Sequence, residues 1–126
     1  MDFVTADSKT RSCPNGTVAN MSLGGGRSAA INSAGAAMTK AGVFLAVAAG
    51  NSADDASFYS PASEPTLCTV GASDSSDAIA WFSNYGTLVD IFAPGVDVLS
   101  SWIGAVNATV CPCPSFIPII SNRTSY

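Results

Sequence analysis

The sequence predicts an α/β fold built on a mainly parallel sheet, and three observations carry that expectation. Residues 43–49 read VFLAVAA, an unbroken apolar run of the kind found in a strand covered on both faces. A helix-period segment at 28–41 precedes it and a short strand-like segment at 17–22 precedes that, the order and length of a right-handed βαβ unit. Beyond the run, the chain returns to short apolar stretches separated by turn residues.

In order, residues 17–22 (TVANMS) form a short strand that runs directly into Leu23, Gly24, Gly25 and Gly26, where three glycines let the backbone bend or lie close to another chain. The helix at 28–41 places Ala30, Ile31, Ala34, Ala37, Met38 and Ala41 on one face, and Gly42 stands where a helix stops. After the strand at 43–49 and a polar loop, TLCTVGA at 66–72 reads as another buried strand. LVDIF at 88–92 reads as a further one, closed by Ala-Pro-Gly, and 96–102 as a last short strand. The tail, residues 105–126, has prolines at 112, 114 and 118 and no regular period, so an irregular segment is expected there.

Composition excludes several classes of function. At 126 residues the chain is one ordinary domain at most. Charged residues are 11% of it, against roughly 25% in ordinary soluble domains; low charge suits a secreted protein, or a segment whose apolar faces pack against further protein. The net charge is −4 with no basic cluster, which argues against nucleic acid and against an anionic membrane surface as partners. No apolar run approaches the roughly 20 residues that span a bilayer, and the opening MDFVTADSKT lacks the parts of a signal peptide. Cys13, Cys68, Cys111 and Cys113 include no CxxC pair and the chain has no histidine, so they do not resemble a metal site. They read either as free thiols or, for Cys13 and Cys68, as halves of disulfides whose partners lie elsewhere.

Ligands of parallel sheets sit at the carboxyl ends of the strands, which brings residues 22–26 and 48–51 to one rim. Two chemistries compete there. Gly-Gly-Gly-Arg-Ser ahead of a helix could cradle a phosphate, although it is neither GxxxxGK[ST] nor GxGxxG. Alternatively, the glycine-rich backbone pairs with an extended peptide as an added strand, while Asn51 offers an amide N–H to a developing oxyanion.

Six segments in order, SLGGG (22–26), AVAAGN (46–51), YSPASEP (59–65), CTVGASD (68–74), FSNYG (82–86) and DIFAPG (90–95), resemble the middle of a subtilisin-superfamily serine protease of the secreted, proteinase K-like branch found in fungi. The resemblance runs from Met1 to about Gly104 and implies a partial subtilisin-like three-layer fold over residues 1–104, with 105–126 a divergent tail and both ends of the family domain outside the chain. It implies that Ser22, Leu23, Gly24, Gly25 and Gly26 bind the substrate backbone and open one wall of the specificity pocket. Ala48, Ala49 and Gly50 then form the opposite wall, and Asn51 is the oxyanion-hole donor. Small residues at 48–50 would admit an aliphatic or aromatic side chain. It further implies a structural calcium ion held by the carbonyls of Pro65 and Leu67 and by Asp90. On its own terms, a carboxylate inside LVDIF either alternates outward to solvent or finds a partner. The disulfide partners implied for Cys13 and Cys68 lie upstream and downstream of the chain; Cys111 and Cys113 have no counterpart.

The family works through an aspartate, a histidine and a serine, and this chain has no histidine. Nor does AVNATVCPCPSFIPIISNRTSY resemble a nucleophile helix; the tail reads as coding from outside the family, such as an unspliced intron. The expectation is a segment of a secreted subtilisin-like endopeptidase that is inactive alone and whose partners are a peptide or protein substrate strand and the missing protease segments. The alternative is a non-catalytic peptide-binding or elicitor-like protein, and a third reading is a nucleotide-binding α/β domain. Four Asn-x-Ser/Thr sequons stand at Asn15, Asn20, Asn107 and Asn122; Asn20 lies in a strand and is the least suited to modification, whereas Asn107 and Asn122 in the tail are the most accessible.

Overall fold

The computed structural model describes residues 1–11, 14–102 and 105–110. The segment 17–22 delivers strand β1 (Thr17–Met21), and a two-residue strand β2 (Gly25–Gly26) follows. An earlier helix, α1 (Asp2–Thr10), occupies the opening for which the sequence pattern offers no element. It contains no glycine or proline, has Asp2 in its first turn and Lys9 in its last, and Arg11 pairs with Asp7 one turn back at 2.6 Å.

The expected helix is α2 (Ala29–Lys40). Ser28 caps it with a hydroxyl that accepts the Ile31 N–H, and Gly42, at φ +90°, takes the left-handed turn that stops it. Strand β3 (Val43–Ala48) follows, then a 3-10 turn at Ala56–Phe58, the short strand β4 (Tyr59–Ser60), and strand β5 (Cys68–Ser73). Strands β1, β3, β5 and β6 (Ile91–Pro94) form one sheet in the order β1-β3-β5-β6. All three pairings are parallel, as the α/β expectation requires.

Pleating sorts the side chains of this sheet. Ala19 and Met21 of β1 and Val43, Leu45 and Val47 of β3 face the helical layer, where Met38 of α2, Leu67, Val4 of α1 and Met1 just before it complete the core. On the opposite face Val18 and Phe44 lie side by side, 67% and 55% exposed, with Ile91 at 55% farther along. The expectation that residues 43–49 are covered on both faces therefore holds only at the end: Val47, Ala48 and Ala49 are buried in succession, but Phe44 is not. Among the described residues the helices pack on one face of β3, so alternation wins over the continuous apolar pattern.

Two further expectations shift. Residues 88–92 do not form a strand throughout: Leu88 lies in a turn, Val89 donates its amide to Gly86, and β6 begins only at Ile91. Asp90 bonds backbone to backbone with Thr69, which sets the start of pairing one residue later. Residues 96–102 contribute β7 (Val98–Trp102), but its partner is β8 (Ala105–Val110), an antiparallel strand at the head of the tail expected to be irregular. The alternation in AVNATV supplies the strand signal there. Cys13, Gly104, Cys111, Cys113, Asn122 and the prolines of the tail lie outside the described residues. Cys68 is a free, half-buried thiol, its pKa raised first by burial and then by the charge of Asp90. No described helix is long and apolar enough to cross a membrane.

The one-sided core gives a contrast between neighbouring residues. Leu45 is fully buried, so Leu45→Ala should lower the unfolding free energy by about 2–5 kcal/mol. Phe44→Ser on the open face should cost about 0.5 kcal/mol or less. Urea denaturation of the two variants measures both.

Candidate functional site

Because β1 and β3 run parallel and their last mutually paired residues are Met21 and Val47, Ser22 and Ala48 stand at the same level. The two candidate pocket segments are thereby neighbours on the carboxyl rim. Residues 22–26 are not one continuous strand: 22–24 are irregular, and only Gly25–Gly26 forms β2, antiparallel to β4 with Gly25 opposite Ser60. Leu23 is 51% exposed and Gly24, Gly25 and Gly26 are exposed. Among the described residues β4 is the one strand beside β2, so the opposite edge of β2 has no strand on it.

At the start of α2 three amides already have partners within the protein. Ser28 N–H donates to Ser60 Oγ at 2.8 Å, Ile31 N–H to Ser28 Oγ, and Asn32 N–H to the Ser28 carbonyl. Ser60 Oγ lies 3.3 Å from Ser63 Oγ, which in turn accepts from the Asn32 side chain at 2.9 Å. The start of α2 is thereby bound to the segment 60–63.

The other segment is held from behind. Ala49 is still tied to β5 through its N–H to the Val70 carbonyl, and the turn at Gly50 needs φ +110°. Asn84, fully buried, clamps this turn on both sides of Asn51: its backbone N–H donates to the Gly50 carbonyl at 3.0 Å, and its Oδ1 accepts the Ser52 N–H at 2.8 Å and the Asp54 N–H at 3.2 Å. Its Nδ2 donates to the Ala49 carbonyl at 2.9 Å. A Cβ at Gly50 would collide with this same side-chain amide. Around the clamp, Ala53 N–H bonds the Phe82 carbonyl, Tyr85 N–H the Asp54 carbonyl, and Ala56 N–H the Tyr85 carbonyl. Ser83 Oγ accepts the Ala72 N–H, anchoring the clamp to β5. The Ser57 backbone amide, then its hydroxyl, holds the Asp55 carboxyl below its ordinary pKa; Asp55 Oδ1 accepts that amide at 2.8 Å.

Asn51 is half-buried and follows directly on this fixed turn. Asn84 is the residue that sequence reasoning missed. It sits within FSNYG, one of the segments carrying the resemblance, but its partners lie 30 to 35 residues away, beyond any local signal.

The three candidate calcium ligands form a separate group at the other end of the strands. Leu67 stands just before β5 and Asp90 just before β6, whose pairing sets Val70 opposite Ile91. The Asp90 carboxylate is exposed and accepts the Thr69 N–H at 2.7 Å, so the two readings open for this residue both hold in part. Pro65 is exposed in the turn that precedes Leu67, which is shaped by Leu67 N–H to the Glu64 carbonyl and by Thr66 to the Glu64 carboxylate. Among the described residues there is no group of three or more His, Cys, Asp or Glu side chains able to hold a metal. Any ion here would depend on one carboxylate and backbone oxygens.

Comparison with known proteins adds an independent line. The model of the subtilase family, Peptidase_S8, matches residues 2–116. The alkaline serine protease ver112 of Corniculantispora psalliotae is 55% identical over 126 residues, covering 100% of this chain and 33% of the relative. Proteinase R of Parengyodontium album is 51% identical over the same 126 residues. Among solved structures, a cold-adapted subtilisin-like serine proteinase superposes with a TM-score of 0.78 at 44% identity, covering 87% of this chain and 38% of that one. The chain spans about a third of the length of the curated relatives it matches. The match also runs past residue 104, where the motifs alone end the resemblance.

The clamp has a measurable weight. Asn84→Ala deletes three side-chain hydrogen bonds at a fully buried position and should destabilise the protein by about 3 kcal/mol, at about 1 kcal/mol net for each. Hydrogen exchange at the Ser52 and Asp54 amides should accelerate more than exchange in β1. Equal acceleration everywhere would mean that Asn84 stabilises the fold without fixing this turn.

Proposed function

Because the chain belongs to the subtilase family, we infer that it carries the substrate-binding and oxyanion-stabilising part of a subtilisin-like serine endopeptidase. The observation that supports this reading most directly is the turn at residues 49–52, fixed by Asn84 on both sides of Asn51 and level with the end of β1. An extended peptide lies along residues 22–26 as an added strand, its main chain bonding to exposed backbone. Its side chain enters between 22–26 and Ala48, Ala49 and Gly50, where small residues leave room for an aliphatic or aromatic group. The carbonyl at the scissile position then meets the Asn51 amide, a donor whose loss from such a site costs about 2.7–4 kcal/mol of transition-state stabilisation.

Acyl transfer of this type needs a general base for the serine hydroxyl. With no histidine among its 126 residues, this chain offers no imidazole, which favours peptide binding without turnover by the chain itself. Export is the matching expectation for its location: a relative 55% identical, from Metarhizium anisopliae, is named a cuticle-degrading protease, and the low charge agrees.

Calcium at Pro65, Leu67 and Asp90 belongs to the same proposal. The donor set suits it, since a hard cation takes carbonyl, carboxylate and water oxygens, and Leu67 and Asp90 stand just ahead of the paired strands β5 and β6. When bound, the ion would supply cross-linking of these ends and no part of the peptide chemistry.

Two measurements test the proposal. Titration with an unstructured peptide bearing a central aromatic residue should show saturable binding, with the peptide intact by mass spectrometry after prolonged incubation. Gly24→Pro, which removes a backbone donor outside the paired part of β2, should weaken binding at least about tenfold, the equivalent of 1.4 kcal/mol. Cleavage would refute the non-catalytic reading, and absence of binding would refute the substrate-strand assignment. For calcium, an excess of about 100 times the dissociation constant should stabilise the protein by about 2.7 kcal/mol. That gain should vanish in Asp90→Asn, which retains an acceptor for the Thr69 amide.

A further inference from the structure

Two sequons lie among the first 22 residues, and the fold distinguishes between them. Asn20 is in β1, on the same open face as Val18, and its Nδ2 donates to Ser22 Oγ at 3.1 Å. That hydroxyl belongs both to its own sequon and to the first residue of the candidate peptide strand. A glycan at Asn20 would stand over the face shared with Phe44 and beside the rim where peptide is proposed to bind. Asn15 differs in each respect. It is exposed, in the turn ahead of β1 and outside any pairing, and Gly16 beside it has nothing within 4 Å of where a side chain would begin. Its sequon ends at Thr17, the first residue of β1, so the acceptor is presented from the rigid amino end of the sheet. The five residues of β1, at about 3.3 Å each, then separate it from the carboxyl rim by about 16 Å.

We propose that Asn15 is an N-linked glycan acceptor and Asn20 is not, so that sugar is carried on the amino end of the sheet, away from the peptide-binding rim. This rests on the export reading above. In the transfer, Asn15 Nδ2 forms a bond to the reducing-end sugar carbon of a lipid pyrophosphate-linked oligosaccharide. The sugar–phosphate bond breaks, the lipid pyrophosphate leaves with the bonding electrons, and the amide gives up one proton.

The test is to express the full chain behind a removable secretion leader in a glycosylating eukaryotic host, which imposes entry into the secretory lumen whatever the native route. Protein from cells and medium is digested with peptide N-glycosidase in heavy-oxygen water and then with trypsin. Cleavage after Arg11 and Arg27 places Asn15 and Asn20 on one peptide, residues 12–27. The expected result is an oxygen-18 label at Asn15, none at Asn20, and loss of the label in Asn15→Gln. A digest without glycosidase separates this from spontaneous deamidation of the Asn15-Gly16 pair. No label on peptide 12–27, or a label at Asn20, would overturn the proposal. Peptide affinity of the glycosylated protein should equal that of the deglycosylated form. If neither form binds peptide while Asn15 is labelled, the peptide-binding reading fails and the glycan assignment stands.

Discussion

One buried amide governs the geometry of the candidate site. Asn84 has no exposed surface, and its side-chain amide and its backbone N–H are spent on the turn that carries Asn51. Everything else at the rim presumes that turn. The parallel pairing of β1 with β3 brings the two candidate segments level, but it fixes backbone only as far as Met21 and Val47. Past those residues the glycine segment is positioned by β4 and Ser60, and residues 49–54 are positioned by Asn84. Buried polar groups are costly unless satisfied, and here the need to satisfy Asn84 selects one conformation for the loop.

The fold was legible in proportion to the strength of its periods. The helix Ala29–Lys40 and the strand Val43–Ala48 emerge within a residue or two of expectation, because apolar spacing, a serine cap and a stopping glycine all agree there. The helix at the opening was not legible, since its nine residues bury none of their members fully and so show little pattern. The strand expected from residue 88 starts at Ile91 because hydrogen bonding at Asp90 outweighs the apolar run before it. Of the candidate site residues, Ser22 and Ala48 stand level at the carboxyl ends of neighbouring parallel strands, as the order of elements implied. Asn84 was invisible to any rule of spacing, because its meaning lies in bonds to residues distant in sequence.

The sheet is asymmetric in a way that composition anticipated. A chain with 11% charged residues has little with which to solvate a second face, and Val18, Phe44 and Ile91 are exposed on that face. In the same sheet β5 is buried nearly throughout, enclosed by Ala80, Phe82 and Ser83 on the segment that also bears Asn84. Residues 80–84 therefore serve two purposes, covering one strand and shaping the end of another.

The span of the clamp also bears on how the molecule comes to its working shape. Its side-chain bonds close loops of 30 to 35 residues, and ordering a loop of that length costs about 3 kcal/mol of chain entropy before any contact is made. Contacts of such separation form slowly and late compared with those inside α2 or between it and β3. A nascent or partly opened chain can thus hold α2 against β3 while the turn around Asn51 is still unset. The geometry of the turn that carries Asn51 becomes a report on completion of contacts made far along the chain.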